Sequence, residues 1–280
     1  MAETRIVTIK EALVHYQHME IEILLSKILG KTKEFLYMNP ERKLSRYQVR
    51  KLSSLVERRE KGEPMAYILG YKDFYGLRFI VNKHVLVPRP ETEEIVHKVY
   101  QVHKVREPLR ILDVGTGSGA IIVSLATSFS NLSPLTYHLT ASDVSPAALE
   151  VAKKNAKIHN TKIKFIKSDL FKNISGRFDV IVSNLPYVPK NVYRSKIDNL
   201  KWEPKLALVD TVRDFDLYKK FFEQIPYHLH PKSLIYLEMD PKTKPHITSY
   251  VKKYLPGWQV KFTKDLNDLW RYAEIRRGLR

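Results

Sequence analysis

Residues 183–187 read Ser-Asn-Leu-Pro-Tyr and close the apolar run Phe-Asp-Val-Ile-Val. A turn after a buried strand is built more readily from Asn-Gly or Pro-Asp-Gly. An amide, a proline and a tyrosine in this place suit chemistry on a planar nitrogen. Such a nitrogen, in an amide or an adenine amino group, is a poor nucleophile because its lone pair is delocalised. Two acceptors aimed at its N–H bonds would orient it towards an electrophilic methyl and share the positive charge it gains. Asn184 Oδ1 and the Leu185 carbonyl can be those acceptors, Pro186 would stiffen the corner, and Tyr187 would wall or stack the planar group. The simpler alternative is a strand-ending turn with a packed tyrosine.

A second stretch, Asp-Val-Gly-Thr-Gly-Ser-Gly-Ala at 113–120, follows an apolar run and opens a helical one. Gly115, Gly117 and Gly119 let the backbone turn tightly and approach a ligand without Cβ interference. The helix N-terminus behind them offers free N–H groups. Gly115, Gly117 and Ala120 also satisfy G-x-G-x-x-A, which keeps a dinucleotide oxidoreductase in view. Asp113, two residues before the first glycine, makes the loop similar to the D-x-G-x-G-x-G of class I methyltransferases, which bind S-adenosylmethionine. Asp143, ending the next strand, can accept both ribose hydroxyls, a feature that either cofactor would use. The nicotinamide reading gives the Asn-Leu-Pro-Tyr corner no role.

These two stretches need a sheet to hold them. From residue 109 the chain alternates strand and helix: 109–114, 119–129, 137–144, 145–160, 163–171 and 178–184. That register implies a parallel sheet with helices on both faces. The corner ends the fourth strand of the series, beside the glycine loop. Ser145 and Pro146 cap one helix, and the tail ends on two strands expected to pair antiparallel at the sheet edge. The first ~70 residues read helical: Thr8 and Glu11 fit a capping box, and apolar stripes stop at Gly30 and Gly62. Residues 74–88 alternate around Asn82-Lys83 and read as a hairpin linking the two parts, and Pro90 then opens a helix whose first turn is acidic.

Composition removes several classes. No cysteine is present, so a thiol nucleophile, a disulfide framework and cysteine-bound zinc are excluded. The histidines are scattered without an H-E-x-x-H pair, and no metal is expected. No apolar run approaches the ~18 residues of a membrane span, and the charged N-terminal stretch lacks a signal peptide's apolar core. A cytoplasmic protein is expected. The net charge of +18 suits an acidic or RNA-associated partner, and equally a Lys-rich surface.

Over nearly its whole length the sequence resembles the HemK/PrmC protein N5-glutamine methyltransferases, which modify the glutamine of the Gly-Gly-Gln motif in class I peptide chain release factors. The resemblance rests on 58–79 (RREKGEPMAYILGYKDFYGLRF), 85–96 (VLVPRPETEEIV), 111–121, 168–171, 178–189 and 202–208 (WEPKLAL). The GEPMAYILG and PRPETE blocks carry it furthest, because N6-adenine methyltransferases share the corner and the glycine loop but not these blocks.

The resemblance implies a Rossmann-like methyltransferase domain over 89–280, a hairpin linker over 74–88, and a helical domain over 1–73 that recognises the release factor. It implies S-adenosylmethionine lined by Gly115, Thr116, Gly117, Ser118, Gly119, Asp143, Leu170 and Asn184, and a glutamine held by Asn184, Leu185, Pro186 and Tyr187. Direct nucleic-acid binding is not required. The alternatives are an N6-adenine or other nucleic-acid methyltransferase and a cofactor-binding ribosome-assembly factor without turnover. Three departures stand out: Leu185 replaces the family's first proline of Asn-Pro-Pro-Tyr, 209–218 replaces a glycine-rich stretch, and Leu-Glu-Met-Asp at 237–240 replaces Glu-Ile-Gly.

Overall fold

The computed structural model describes residues 8–17, 20–103, 109–130, 137–188, 193, 200–209 and 216–278. The start of the N-terminal stretch, Pro189, and residues 210–215 of the segment that departs from the family lie outside them. The chain divides into two compact units, Met1–Gly70 and Tyr71–Arg280.

The first unit is helical: α1 (Ile9–His15), α2 (Ile21–Leu29), α3 (Lys33–Met38), α4 (Arg46–Glu60) and α5 (Met65–Leu69). Thr8 and Glu11 form the expected capping box, and Ser45 with Gln48 forms a second at the start of α4. Gly30 ends α2 in the left-handed conformation at φ 61°. Ile9, Leu24, Leu25, Leu36, Leu52 and Val56 meet in one buried cluster. Each such side chain stabilises the unit by about 1.5–3 kcal/mol. Glu63, buried in the GEP block, takes a two-pronged ion pair from Arg58 and so fixes the bend between α4 and α5.

The second unit opens with a hairpin, β1 (Tyr71–Phe74) antiparallel to β2 (Leu77–Ile80). This corrects the expected turn at Asn82-Lys83. The loop is Tyr75-Gly76, both at positive φ (49° and 73°), the twist that a two-residue hairpin loop requires. Glu93 accepts the Tyr75 amide at 2.9 Å and supports this conformation in a residue that rarely adopts it. Asn82 instead makes a separate turn, taking the His84 amide on its side chain and the Val85 amide on its carbonyl.

Beyond the hairpin come α6 (Glu93–His103), β3 (Leu109–Val114), α7 (Ala120–Ser130), β4 (Tyr137–Asp143), α8 (Pro146–Ile158), β5 (Lys164–Lys167), β6 (Phe178–Asn184), β7 (Leu229–Glu238), β8 (Trp258–Lys264) and β9 (Trp270–Arg277), with further helices at Lys205–Leu208, Asp216–Gln224 and Lys244–Tyr254. Pro90 begins a short 3-10 turn that runs into α6. The sheet order is β5-β4-β3-β6-β7-β9-β8, with β9 antiparallel to both its neighbours and β8 at the edge. β5 stops at Lys167, four residues short of the expected strand, because Ser168–Leu170 turn inwards and Leu170 takes φ 49°.

Strands β3 and β6 are buried on both faces, which explains their unbroken apolar runs. Ile111, Val180 and Val182 pack with Ile95, Val99, Ile122 and Phe129 on one side. Leu112, Ile181 and Ile235 pack with Phe221, Phe222, Ile247 and Val251 on the other. The strand order reverses between β3 and β6, and ligands of open α/β sheets bind outside the carboxyl ends of strands at such a point. Val114 pairs with Ser183 in register, so the glycine loop and the Asn-Leu-Pro-Tyr corner leave the sheet side by side.

Candidate active site

A cavity of about 450 Å³ opens at this reversal. Gly115, Thr116, Gly117, Ser118, Asp143, Leu170, Asn184, Leu185 and Pro186 line it, together with Lys83, Val85, Pro88, Arg89 and Thr92 from the segment after the hairpin. Gly119 and Tyr187 are not among the lining residues.

The glycine loop is held by its own backbone. The Ser142 carbonyl accepts the amides of Gly115 and Thr116 at 2.8 and 2.9 Å, and Thr116 accepts the Gly119 amide at 2.8 Å. Gly115 (φ 75°) and Gly117 (φ 56°) have open space where a Cβ would stand, so the cradle is one that side chains would fill. Gly119 differs: a Cβ there would meet Ala152 Cβ at 3.2 Å, which assigns this glycine to the packing of α7 against α8.

Two carboxylates sit beneath the loop. Asp113 is buried and accepts the Thr116 hydroxyl at 2.7 Å; burial pushes its carboxyl up to about 7. Asp143 faces the cavity. Burial raises its pKa, while the amides of Ser145 and Gly117, each 2.9 Å from a carboxyl oxygen, oppose the rise. Each oxygen keeps a lone pair for a hydroxyl of a bound ligand.

At the corner, Asn184 Nδ2 donates to Thr92 Oγ1 at 3.4 Å. Oδ1 has no protein partner among the described residues. Leu185 lines the cavity while its side chain belongs to the buried apolar cluster on one face of the sheet, so the substitution for proline is held by packing. Tyr187 turns its hydroxyl away, donating to Glu238 Oε1 at 3.3 Å; burial first, then the Glu238 charge, pushes the phenol pKa up.

Several supporting residues escaped the sequence reading. Asn155 of α8, fully buried, donates to the carbonyls of Ser118 (2.8 Å) and Ile80 (3.0 Å) and accepts the Ile80 amide at 2.7 Å, tying β2 to the glycine loop. Glu203 takes the Val87 amide at 3.0 Å and the Arg89 guanidinium, which fixes the course of 87–89 along the cavity. Thr92 and Glu238 join at 2.6 Å. Thr92 and Glu203 lie inside the PRPETE and WEPKLAL blocks, and that was the available signal. Asn155, inside an amphipathic helix, left none.

The mostly parallel seven-stranded sheet, with a glycine loop at its reversal and an acidic residue ending the next strand, defines a class I methyltransferase. A methyltransferase from Pyrococcus furiosus shares this fold, with a TM-score of 0.52, 24% identity, and coverage of 80% of this chain and 97% of that one. Residues 7–70 match the PrmC N-terminal domain and residues 98–199 the Methyltransferase small domain. The release factor glutamine methyltransferase of Bacillus cereus is 34% identical over 263 residues, covering 91% of each chain. That of Lactococcus lactis subsp. lactis is 38% identical over 201 residues, covering 71% of this chain and 72% of its own. The chain belongs to the release factor glutamine methyltransferase family.

Proposed function

We propose that this protein transfers a methyl group from S-adenosylmethionine to the side-chain amide nitrogen of the glutamine in the Gly-Gly-Gln motif of class I peptide chain release factors. The similarity to release factor glutamine methyltransferases over 91% of the chain carries the choice of substrate. The Asn184 amide supports the chemistry: its nitrogen lies 3.4 Å from Thr92 Oγ1, its oxygen has no protein partner among the described residues, and the residue lines a cavity shared with an open glycine cradle. That cavity fits the cofactor. Gly115, Thr116, Gly117, Ser118 and Leu170 would surround it, and Asp143 would accept its ribose hydroxyls. Bound there, S-adenosylmethionine supplies a methyl made electrophilic by its sulfonium.

The protein's own residues do the rest. Asn184 Oδ1 and the Leu185 carbonyl accept the two N–H bonds of the glutamine amide and hold its nitrogen in one orientation. Both acceptors are positioned before the substrate arrives, so little reorganisation is needed as charge develops. Pro186 limits the movement of the Leu185 carbonyl. Tyr187 acts at one remove, by bracing the corner against β7. The helical unit Met1–Gly70 is the part we assign to the release factor, and the cytoplasm, where translation ends, is the compartment this activity implies.

The test offers labelled S-adenosylmethionine to the protein with a release factor and with rRNA, side by side. Label on the release factor alone, lost when the Gly-Gly-Gln glutamine is changed to alanine, is the expected result. Label on rRNA alone would overturn the reading in favour of a nucleic-acid methyltransferase, the alternative that the +18 charge favours.

A further inference from the structure

Glu238 ends β7, directly opposite Asn184 in the register, and is 1% exposed. Its Oε2 takes the Thr92 hydroxyl at 2.6 Å and its Oε1 the Tyr187 hydroxyl at 3.3 Å. We propose that Glu238, acting through Thr92, determines which way round the Asn184 amide stands, and is thereby a positioning residue for the nitrogen to be methylated. The inference rests on the methyl-transfer reading above and adds to it residues outside the glycine loop and the corner.

Donors and acceptors decide the orientation. A carboxylate has no proton to give. Thr92 has a single O–H and gives it to Glu238, so only lone pairs remain on Oγ1 for a third group. Asn184 Nδ2, 3.4 Å away, is a donor and satisfies that lone pair. Were the amide flipped, Asn184 Oδ1 would face Thr92 Oγ1 acceptor to acceptor. At 3.4 Å the hydrogen bond itself is weak, but the sign of the alternative makes it selective. The consequence is that Oδ1, the acceptor an N–H substrate needs, is kept for the cavity. A flipped amide would instead offer N–H groups to the N–H groups of the substrate.

Neighbouring groups hold the carboxylate in place. The Tyr218 hydroxyl donates to the Glu238 backbone carbonyl at 3.1 Å. Burial raises the pKa of the Glu238 side chain, and Glu91 adds to the rise. The Thr92 hydroxyl, the Arg271 guanidinium and the Tyr187 hydroxyl oppose it and favour the charged form. Tyr187 and Tyr272 also face it as titratable groups.

The experiment compares Thr92→Val, Thr92→Ser and Glu238→Gln with the wild type. It measures methyl transfer to the release factor, S-adenosylmethionine affinity by calorimetry, and the Asn184 side-chain amide protons by nitrogen-15-edited NMR. In the wild type those protons should show a nuclear Overhauser contact to the Thr92 side chain. Thr92→Val keeps the shape and removes the lone pair, so kcat should fall roughly ten- to a hundredfold, the scale of a misoriented reacting group, with cofactor affinity unchanged. Thr92→Ser keeps the hydroxyl and should stay within about threefold of the wild type, the margin left for a lost methyl group. Glu238→Gln can donate to Thr92 and admits both amide orientations, so it should fall in between.

Wild-type kcat in Thr92→Val or in Glu238→Gln would overturn the proposal. So would an equal loss in Thr92→Ser and Thr92→Val, which would assign the effect to packing. Should Thr92→Val not fold, absence of the wild-type contact overturns the proposal and its presence upholds it. That NMR readout is independent of the substrate, so failure of the release-factor reading shows separately, as wild-type protein that leaves the release factor unlabelled.

Discussion

Asn155 Nδ2 lies 2.8 Å from the Ser118 carbonyl and 3.0 Å from that of Ile80, so a single buried amide joins α8, the hairpin strand β2 and the glycine loop. Substituting alanine leaves the buried Ser118 carbonyl, and the part-buried Ile80 carbonyl and amide, without this partner. Each buried polar group left unpaired costs about 1–3 kcal/mol. Asn155→Ala is expected to lower stability by roughly 2–4 kcal/mol and to weaken S-adenosylmethionine binding through the loosened loop. Chemical denaturation and calorimetry measure the two effects. An unchanged denaturation midpoint would mean that the amide joins nothing of consequence.

The glycines separate by role. At Gly117 a side chain would enter open space on the cavity side. At φ +56° a valine is strained, so Gly117→Val is expected to abolish cofactor binding and to cost some stability without preventing folding. At Gly119 the added Cβ meets Ala152 at 3.2 Å, and φ is +80°. Gly119→Ala should therefore damage stability first. Thermal melts paired with titrations for both variants would distinguish them, and a well-folded Gly117→Val protein with wild-type affinity would refute the cradle.

Leu185 is buried in the apolar core beside the site. Its replacement by alanine opens a cavity, with an expected cost of about 2–5 kcal/mol, while the Leu185 backbone carbonyl is retained. Denaturant unfolding of Leu185→Ala should thus show a clear loss, and the surviving folded protein should still turn over. A stable but inactive variant would instead give the side chain a direct part in holding substrate.

Asp113 supplies a pH dependence. Its carboxyl is pushed from an ordinary value near 3.8 up to about 7 by burial. Between those values the folded protein holds a proton that the unfolded chain has released. Stability from this group is therefore full below about 3.8 and is lost as pH rises through about 7. Asp143, also raised by burial, adds in the same direction. Asp113→Asn, which cannot titrate, should show a flatter stability profile between pH 4 and 7. Denaturation midpoints across that range decide the matter, and identical slopes for the two proteins would remove Asp113 as the cause.

Much of this was legible in the sequence, for physical reasons. β3 and β6 announce themselves because strands covered on both faces must be apolar throughout, and the glycine loop because positive φ excludes most side chains. The capping boxes are local, so Thr8 and Glu11 could be paired by spacing alone. The hairpin was misplaced because its loop puts Tyr75, not a glycine or asparagine, at positive φ, and the support comes from the side chain of Glu93, far along the chain. β5 was read too long because Leu170 looks like a strand residue yet takes a left-handed conformation at the cavity wall. The Thr92–Glu238 and Asn155–Ser118 contacts join segments distant in sequence, and no period or spacing announces such pairs. Tyr187 is expected to wall or stack the planar group, and the partner of its hydroxyl, Glu238, is likewise distant in sequence.

The central claim is that the free oxygen of Asn184 orients a glutamine amide for methyl transfer. The most direct measurement is labelled methyl transfer by the wild type and by Asn184→Ala, to a release factor whose Gly-Gly-Gln glutamine is intact or changed to alanine. Loss of one preorganised partner costs about 10²–10³ in rate. The account predicts strong labelling only for the wild type with the intact glutamine, and an Asn184→Ala protein that melts close to the wild type yet is nearly silent. Undiminished labelling of the alanine-substituted release factor, or near-wild-type turnover by Asn184→Ala, would contradict it.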